Sequence, residues 1–308
     1  MYPKVRGVGF EPTNPYGTAA SGVNFGNGAK IDWEKYKNWL FKEYLPVTAK
    51  DRLRYAKKYA DCLLKRDFNT LKLLTNSQRI HAMKALAVLS KFLGIYEEFS
   101  SLVKNYGLKW SGKKSSDLII ERLTKTVNAN EIFDWIKLVK KTFPEFSDFM
   151  DLMAITGLRY NEAIESYNLI IKLAKKGKLA DYYNFEDKTL EHFKFKETFI
   201  RRSKKVFISF STKELVERIS QNEPLEWNAT KKKVARKVEH LRFADIRELH
   251  GSFVTKYLRQ PEIDFLHGRT NASVFMKHYF NVALIADLKT RTFKAIREIE
   301  KKIEINNA

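Results

Sequence analysis

The chain has 308 residues, 44% of them hydrophobic, enough for two domains of ordinary size with real cores. Lys and Arg number 57 against 36 for Asp and Glu, a net charge of +21, more than a cytosolic enzyme acting on small molecules needs, so a polyanionic partner is expected. No apolar run reaches transmembrane length and no single helix concentrates the basic residues, which favours nucleic acid over a membrane, and the lone Cys62 excludes an internal disulfide framework or a Cys-based zinc site.

In chain order, residues 1–30 come first. The stretch "VRGVGFEPTNPYGTAASGVNFGNG" (Val5 to Gly28) is dense in Gly and Pro and poor in periodic apolar residues, so a disordered tail is expected. Met-Tyr-Pro-Lys without a following apolar core is not a signal peptide, and a reducing cytoplasm is expected. Residues 31–108 carry amphipathic helical patterns: "IDWEKYKNWLFKEYL", closed by Pro46, then "DRLRYAKKYADCLLKRD", "SQRIHAMKALAVLSKFLG" and "YEEFSSLVKNYG". They form a small helical domain. The polar, basic "KWSGKKSSD" opens a linker, 109–124.

From 125 to 308 a second, mostly helical domain is expected. "NANEIFDWIKLVKKTFP" and "EFSDFMDLMAITGLRYNEAIESYNLIIKLAKKG" read as helices, interrupted near Gly157 and ended at Gly177. "LEHFKF" and "KKVFISF" suit a small antiparallel hairpin, and Ser211 with Glu214 reads as a capping box opening "TKELVERIS". Helices continue to the end, where Leu288, Ile296, Ile299 and Ile303 make an apolar stripe that suits core packing or the docking of a neighbouring protomer. The fold class is therefore mainly α with a small antiparallel sheet.

Three stretches in this domain carry chemistry: "TGLRYNEA" with Arg159, "FADIRELHGSFVTKYL" with Arg247, and "DFLHGRTNASVFMKHYF" with His267, Arg269 and Tyr279. Together they resemble the tyrosine recombinases. Thr156 to Glu162 matches that family's T-G-L-R-x-x-E box at every fixed position, Arg269 follows Arg247 by twenty-two residues, and Tyr279 lies ten beyond. The resemblance covers about 125 to 308, and before it the helical domain resembles the family's N-terminal DNA clamp only in architecture. Two departures stand out. Ala244 occupies the first position of the family's H-x-x-R box, and Arg269 occupies the position of its usual His, with His267 two residues earlier. "FLHGR" is similar to the integrases of archaeal viruses and plasmids.

The resemblance implies a two-domain DNA clamp that cuts and rejoins double-stranded DNA through a 3′-phosphotyrosyl intermediate, without cofactor or metal, and assembles as a synaptic tetramer on DNA. Arg159 and Arg247 would grip the non-bridging phosphate oxygens, since guanidiniums bind bidentately without losing charge. Tyr279 would be the nucleophile, its phenol, of pKa about 10, favoured as phenolate by neighbouring cations. A hairpin lysine would protonate the leaving 5′-oxygen: Lys204 first, then Lys205 and Lys196. Glu162 suits an orienting role. His250, three residues after Arg247 on the same helix face, could help compensate for Ala244, and "ATKKKVARKVEHLR" could track the phosphate backbone. A type IB topoisomerase would share the chemistry, and a non-catalytic DNA-binding protein would share the charge.

The tail has a second reading. Archaeal integrases of the resembling kind insert into transfer RNA genes, some with the attachment site inside their own reading frame. Val8 to Thr13, "VGFEPT", permits the codons GTG GGN TTC GAA CCC AC, whose ends are complementary and whose loop reads TTCGAAN on the opposite strand, the pattern of a transfer RNA T-arm. On this reading the residues answer to a nucleic acid's pairing. Synonymous recoding of Val5 to Gly22 in donor DNA should then abolish its integration, while deletion of residues 1–28 from the protein should leave catalysis on a supplied site largely intact. Normal integration of the recoded donor would refute it.

Overall fold

A computed structural model describes residues 31–112, 115–124, 128–200, 205–238, 241–270, 278 and 280–304. The expected tail lies outside the described residues. The chain divides into two compact units, Met1–Thr124 and Lys125–Ala308. No helix among the described residues is long and apolar enough to cross a membrane.

In the first unit, α1 (Trp33–Glu43), α2 (Pro46–Leu64), α3 (Asn69–Lys72), α4 (Asn76–Phe92) and α5 (Tyr96–Asn105) share one core. Pro46 opens α2 at its first position, where a missing N–H costs nothing. The heart of the unit is α2 against α4. Ala49, Ala56 and Ala60 on one helix and Ala82 and Ala85 on the other are buried, and such small side chains let two helices approach closely. Thr75 and Gln78 form a reciprocal capping box at the start of α4. Within the expected linker, Ser115–Leu123 is helical and is termed α6.

The second unit is arranged around one helix. After α7 (Ala129–Thr142), α8 (Ser147–Thr156) is buried from Phe149 to Thr156, because "FMDLMAIT" is apolar on nearly every side. The one charge within that buried stretch, Asp151, is met by Lys140 at 2.7 Å and Arg218 at 3.5 Å. Around α8 pack α7, α9 (Tyr160–Ala174), α11 (Lys213–Ser220), α13 (Phe243–Phe253) and α15 (Leu288–Ile303). The short α10 (Lys196–Phe199), α12 (Trp227–Lys237) and α14 (Gln260–Leu266) complete the helices named here.

The sheet is smaller than its two apolar runs suggest. β1 (Tyr183–Asn184), β2 (Thr189–Leu190) and β3 (Ser209–Phe210) are antiparallel in that order, with Tyr183 opposite Leu190 and Thr189 opposite Phe210. Only Leu190 of "LEHFKF" is in a strand; His192–Phe195 forms a 3-10 turn that runs into α10, burying His192 between Tyr182 and Ser209. Beyond it, Ile200 and Lys205 form an isolated antiparallel bridge whose intervening residues, Lys204 among them, lie outside the described residues. The expected capping box at Ser211 and Glu214 does not form. Thr212 is the cap residue of α11, without a side-chain cap bond, so Glu214 stands one position too early to reach back.

The C-terminal stripe is core. Leu288, Ile296, Ile299 and Ile303 are buried among residues of α7 and α8, so this face is not free to dock another protomer.

Candidate active site

The site begins where α8 stops. Gly157, with φ +60°, ends the helix in a left-handed turn, and Arg159 then caps α9. Glu162, in the first turn of α9, accepts a hydrogen bond from the Arg159 backbone N–H at 3.0 Å and from its guanidinium at 2.6 Å. One carboxylate thus completes the cap and aims the arginine. The device recurs at Arg242 with Asp245 and, through the backbone, at Arg259 with Glu262.

Arg247 lies on α13. Its two terminal nitrogens donate to the carbonyl oxygens of Gly157 and His267, each at 2.7 Å. Gly157 precedes Arg159 by two residues and His267 precedes Arg269 by two. The guanidinium therefore ties together the turns that carry the other two arginines. Burial, with Arg159 and Arg269 nearby, pushes its pKa down to about 9, which leaves it charged at neutral pH.

Behind these turns stand His250 and His267, both buried. His250 Nε2 lies 3.1 Å from the Ile155 carbonyl, which only accepts, so the proton sits on Nε2. His250 Nδ1 must then accept from His267 Nε2, 2.9 Å away, leaving the buried His267 Nδ1 unprotonated and, among the described residues, without a hydrogen-bond partner. Burial pushes His250 down to about 4 and His267 to about 2, and for His267 His250 and the cations Arg247, Arg269 and Arg159 add to the effect. Both rings are neutral. They leave no room for a side chain at Gly157, where a Cβ would collide with His250 and lie 2.7 Å from His267 Nε2.

Arg269 is exposed, its guanidinium 3.6 Å from Asp264, and follows Gly268, which has φ +63°. A Cβ on Gly268 would strike the carbonyl oxygen of Lys205. The base of the hairpin thus rests on the turn that carries Arg269. Arg159 and Arg247 open into one cleft of about 460 Å³, which Glu162, Lys231, Arg242 and Ala244 also line.

Of the residues singled out from the sequence, Arg159, Glu162, Ala244 and Arg247 meet in this cleft, and Arg269 is near enough to lower the pKa of Arg247. His267 presents its carbonyl, not its ring, to Arg247. Lys205 contributes main chain at Gly268, and Lys196, on α10, is not among the lining residues. Tyr279 and Lys204 lie outside the described residues. Sequence reasoning missed Lys231 as a wall of the cleft, although it lies in the basic run before Arg247, and, while it read a helix break at Gly157, it missed the close packing at Gly157 and Gly268.

Among the described residues, no group of three or more His, Cys, Asp or Glu is placed to hold a metal ion. Paired, orientated guanidiniums in a basic cleft suit a polyanion such as a phosphodiester. Residues 124–295 match the family described as archaeal phage integrase, more than half of the chain, and the chain belongs to that family. It is accordingly an integrase, acting in DNA integration and recombination. No curated protein and no solved structure matches the chain.

The buried histidines set an acid limit. His192 is pushed to about 3 by burial, beside about 4 for His250 and about 2 for His267, against 6.5 for the unfolded chain. Between pH 6.5 and 4 the unfolded state takes up protons that the native state refuses, so stability is full above that window and falls within it. Each histidine contributes up to about 1.4 kcal/mol per pH unit. Asp151, raised to about 6 by burial, works in the opposite direction by one proton. Chemical denaturation should show a loss of several kcal/mol between about pH 7 and about pH 5. A flat profile would mean that the histidines are charged in the fold.

Proposed function

We propose that the protein is a tyrosine site-specific recombinase that inserts a mobile element into a transfer RNA gene. The observation that carries this reading is the convergence of Arg159 and Arg247 in one basic cleft, with Arg247 held by the turns of the other two boxes. Two guanidiniums stabilise charge on the non-bridging oxygens of a phosphodiester under in-line attack. Arg247 has five N–H groups, of which Gly157 and His267 occupy two, leaving three that take no acceptor among the described residues and can address phosphate.

The Tyr279 phenol oxygen attacks phosphorus and loses its proton to water, the bond to the 5′-oxygen breaks, and that oxygen leaves as a hydroxyl with a proton from the hairpin lysine. The product is a 3′-phosphotyrosyl link. A 5′-hydroxyl of the second duplex reverses the step, so bond energy is conserved and no nucleotide cofactor is needed. Lys204 is assigned as the proton donor, and the contact between Lys205 and Gly268 supports a hairpin seated beside Arg269. Arg269 serves as a further phosphate contact. His267 and His250 serve as neutral positioning residues behind Arg247. Strand exchange takes place in a tetramer assembled on two attachment sites, through surfaces other than the buried stripe of α15.

A nicked suicide duplex tests the reading. The native protein should accumulate a covalent protein–DNA adduct, whereas Tyr279→Phe should bind the duplex with near-native affinity and form none. Exchange between two duplexes then separates a recombinase from a topoisomerase. Full adduct formation by Tyr279→Phe would overturn the nucleophile assignment, and no adduct from the native protein would overturn the class.

A further inference from the structure

The cleft has more positive charge than its two central arginines supply. Ala244 stands three residues before Arg247, on the same face of α13, and lines the cleft with only a methyl group. The wall is therefore open beside the place where Arg159 and Arg247 converge. Two other cations reach this cleft, Arg242 and Lys231. Arg242 is engaged by the buried Asp245, which accepts from its backbone N–H at 2.8 Å and from its guanidinium at 3.1 Å.

Lys231 is different. It is exposed, and among the described residues it has no carboxylate partner; its ammonium rests over the Trp227 ring, 5.8 Å from the centroid. That hold is weak at an exposed site, and the long, flexible stem can leave it. The helix that carries Lys231 is nevertheless fixed against the arginine's own helix. The indole of Trp227 donates to Asn161 Oδ1 at 2.5 Å, and the Tyr160 hydroxyl donates to the Trp227 carbonyl at 2.8 Å. Tyr160 and Asn161 are the two residues after Arg159. Glu226 caps the same end of α12 by accepting from Asn228 and Ala229. The α12 backbone is thus anchored one residue from Arg159, with a mobile cation one turn beyond the anchor.

We propose that Lys231 is a third catalytic cation, reaching from α12 into the space beside Ala244 to contact a non-bridging oxygen of the scissile phosphate. This rests on the recombinase reading above. An ammonium has three donors and no acceptor, so its contribution is charge stabilisation and not the taking of the Tyr279 proton.

The test uses the full chain and the nicked suicide duplex, with adduct formation followed in a single turnover at saturating protein so that binding is factored out. Lys231→Ala should slow adduct formation by about a hundredfold, the lower end of the cost of one oxyanion donor, because the ammonium must first leave Trp227. The log–log salt slope of DNA binding should change by no more than about 0.9, one phosphate contact. Lys231→Arg should retain most of the rate. Adding Ala244→Lys to Lys231→Ala should recover about tenfold or more, because both positions address one oxygen. Adduct formation by Lys231→Ala at the native rate, or no recovery from Ala244→Lys, would overturn the assignment. A native protein without a Tyr279 adduct would overturn the recombinase reading and this proposal with it, whereas a native adduct beside an equally fast Lys231→Ala variant overturns this proposal alone.

Discussion

The guanidinium of Arg247, held between the carbonyl oxygens of Gly157 and His267, is the contact on which the site depends. Each carbonyl belongs to a helix end: Gly157 terminates α8 and His267 terminates α14. Helix ends leave carbonyls without intrahelical partners, and here one half-buried cation satisfies one at each end. A charge that needs partners and carbonyls that need donors meet each other's requirements. The consequence is positional, since the turns so tied carry Arg159 and Arg269 two residues further on.

The surroundings decide which groups keep their charge. Arg247 remains a cation despite burial and cationic neighbours because its ordinary pKa starts so high. The histidines behind it do not, because they start near neutrality and burial disfavours their charged forms, with Arg247 beside both. A lysine or histidine in the place of Arg247 would meet the same penalty from a lower starting point. The close fit of neutral rings around Gly157 then becomes a constraint on the backbone that presents Arg159. Glu162 acts on that arginine from the other side, as cap and orienter together.

Much of this was legible in the sequence. The T-G-L-R-x-x-E box, the spacing from Arg247 to Arg269 and the break at Gly157 are local signals, written in residues that neighbour one another or recur at fixed intervals. The helices of the first unit followed from amphipathic period and terminal Gly or Pro. What escaped was set by tertiary contact. "LEHFKF" has strand composition, but His192 finds its partners in Tyr182 and Ser209, and the chain turns into a helix to bury it. Ser211 and Glu214 have capping-box spacing, yet α11 starts one residue later than that spacing requires. The stripe of α15 has the same sequence whether it docks a neighbour or fills its own core, and only the packing of α7 and α8 against it decides. Lys231 could not be separated from the lysines beside it until the direction of α12 was known.

The central claim is that Arg247 works through a planar fork of donors, part of it committed to the two carbonyls and the rest to phosphate. Substituting lysine removes the fork and leaves at most a single ammonium, so the single-turnover rate of adduct formation by Arg247→Lys is the direct measurement. The account predicts a fall of about a hundredfold or more with DNA affinity near the native value. A native rate in that variant would contradict it, because a single ammonium would then suffice where the structure ties one guanidinium to two turns.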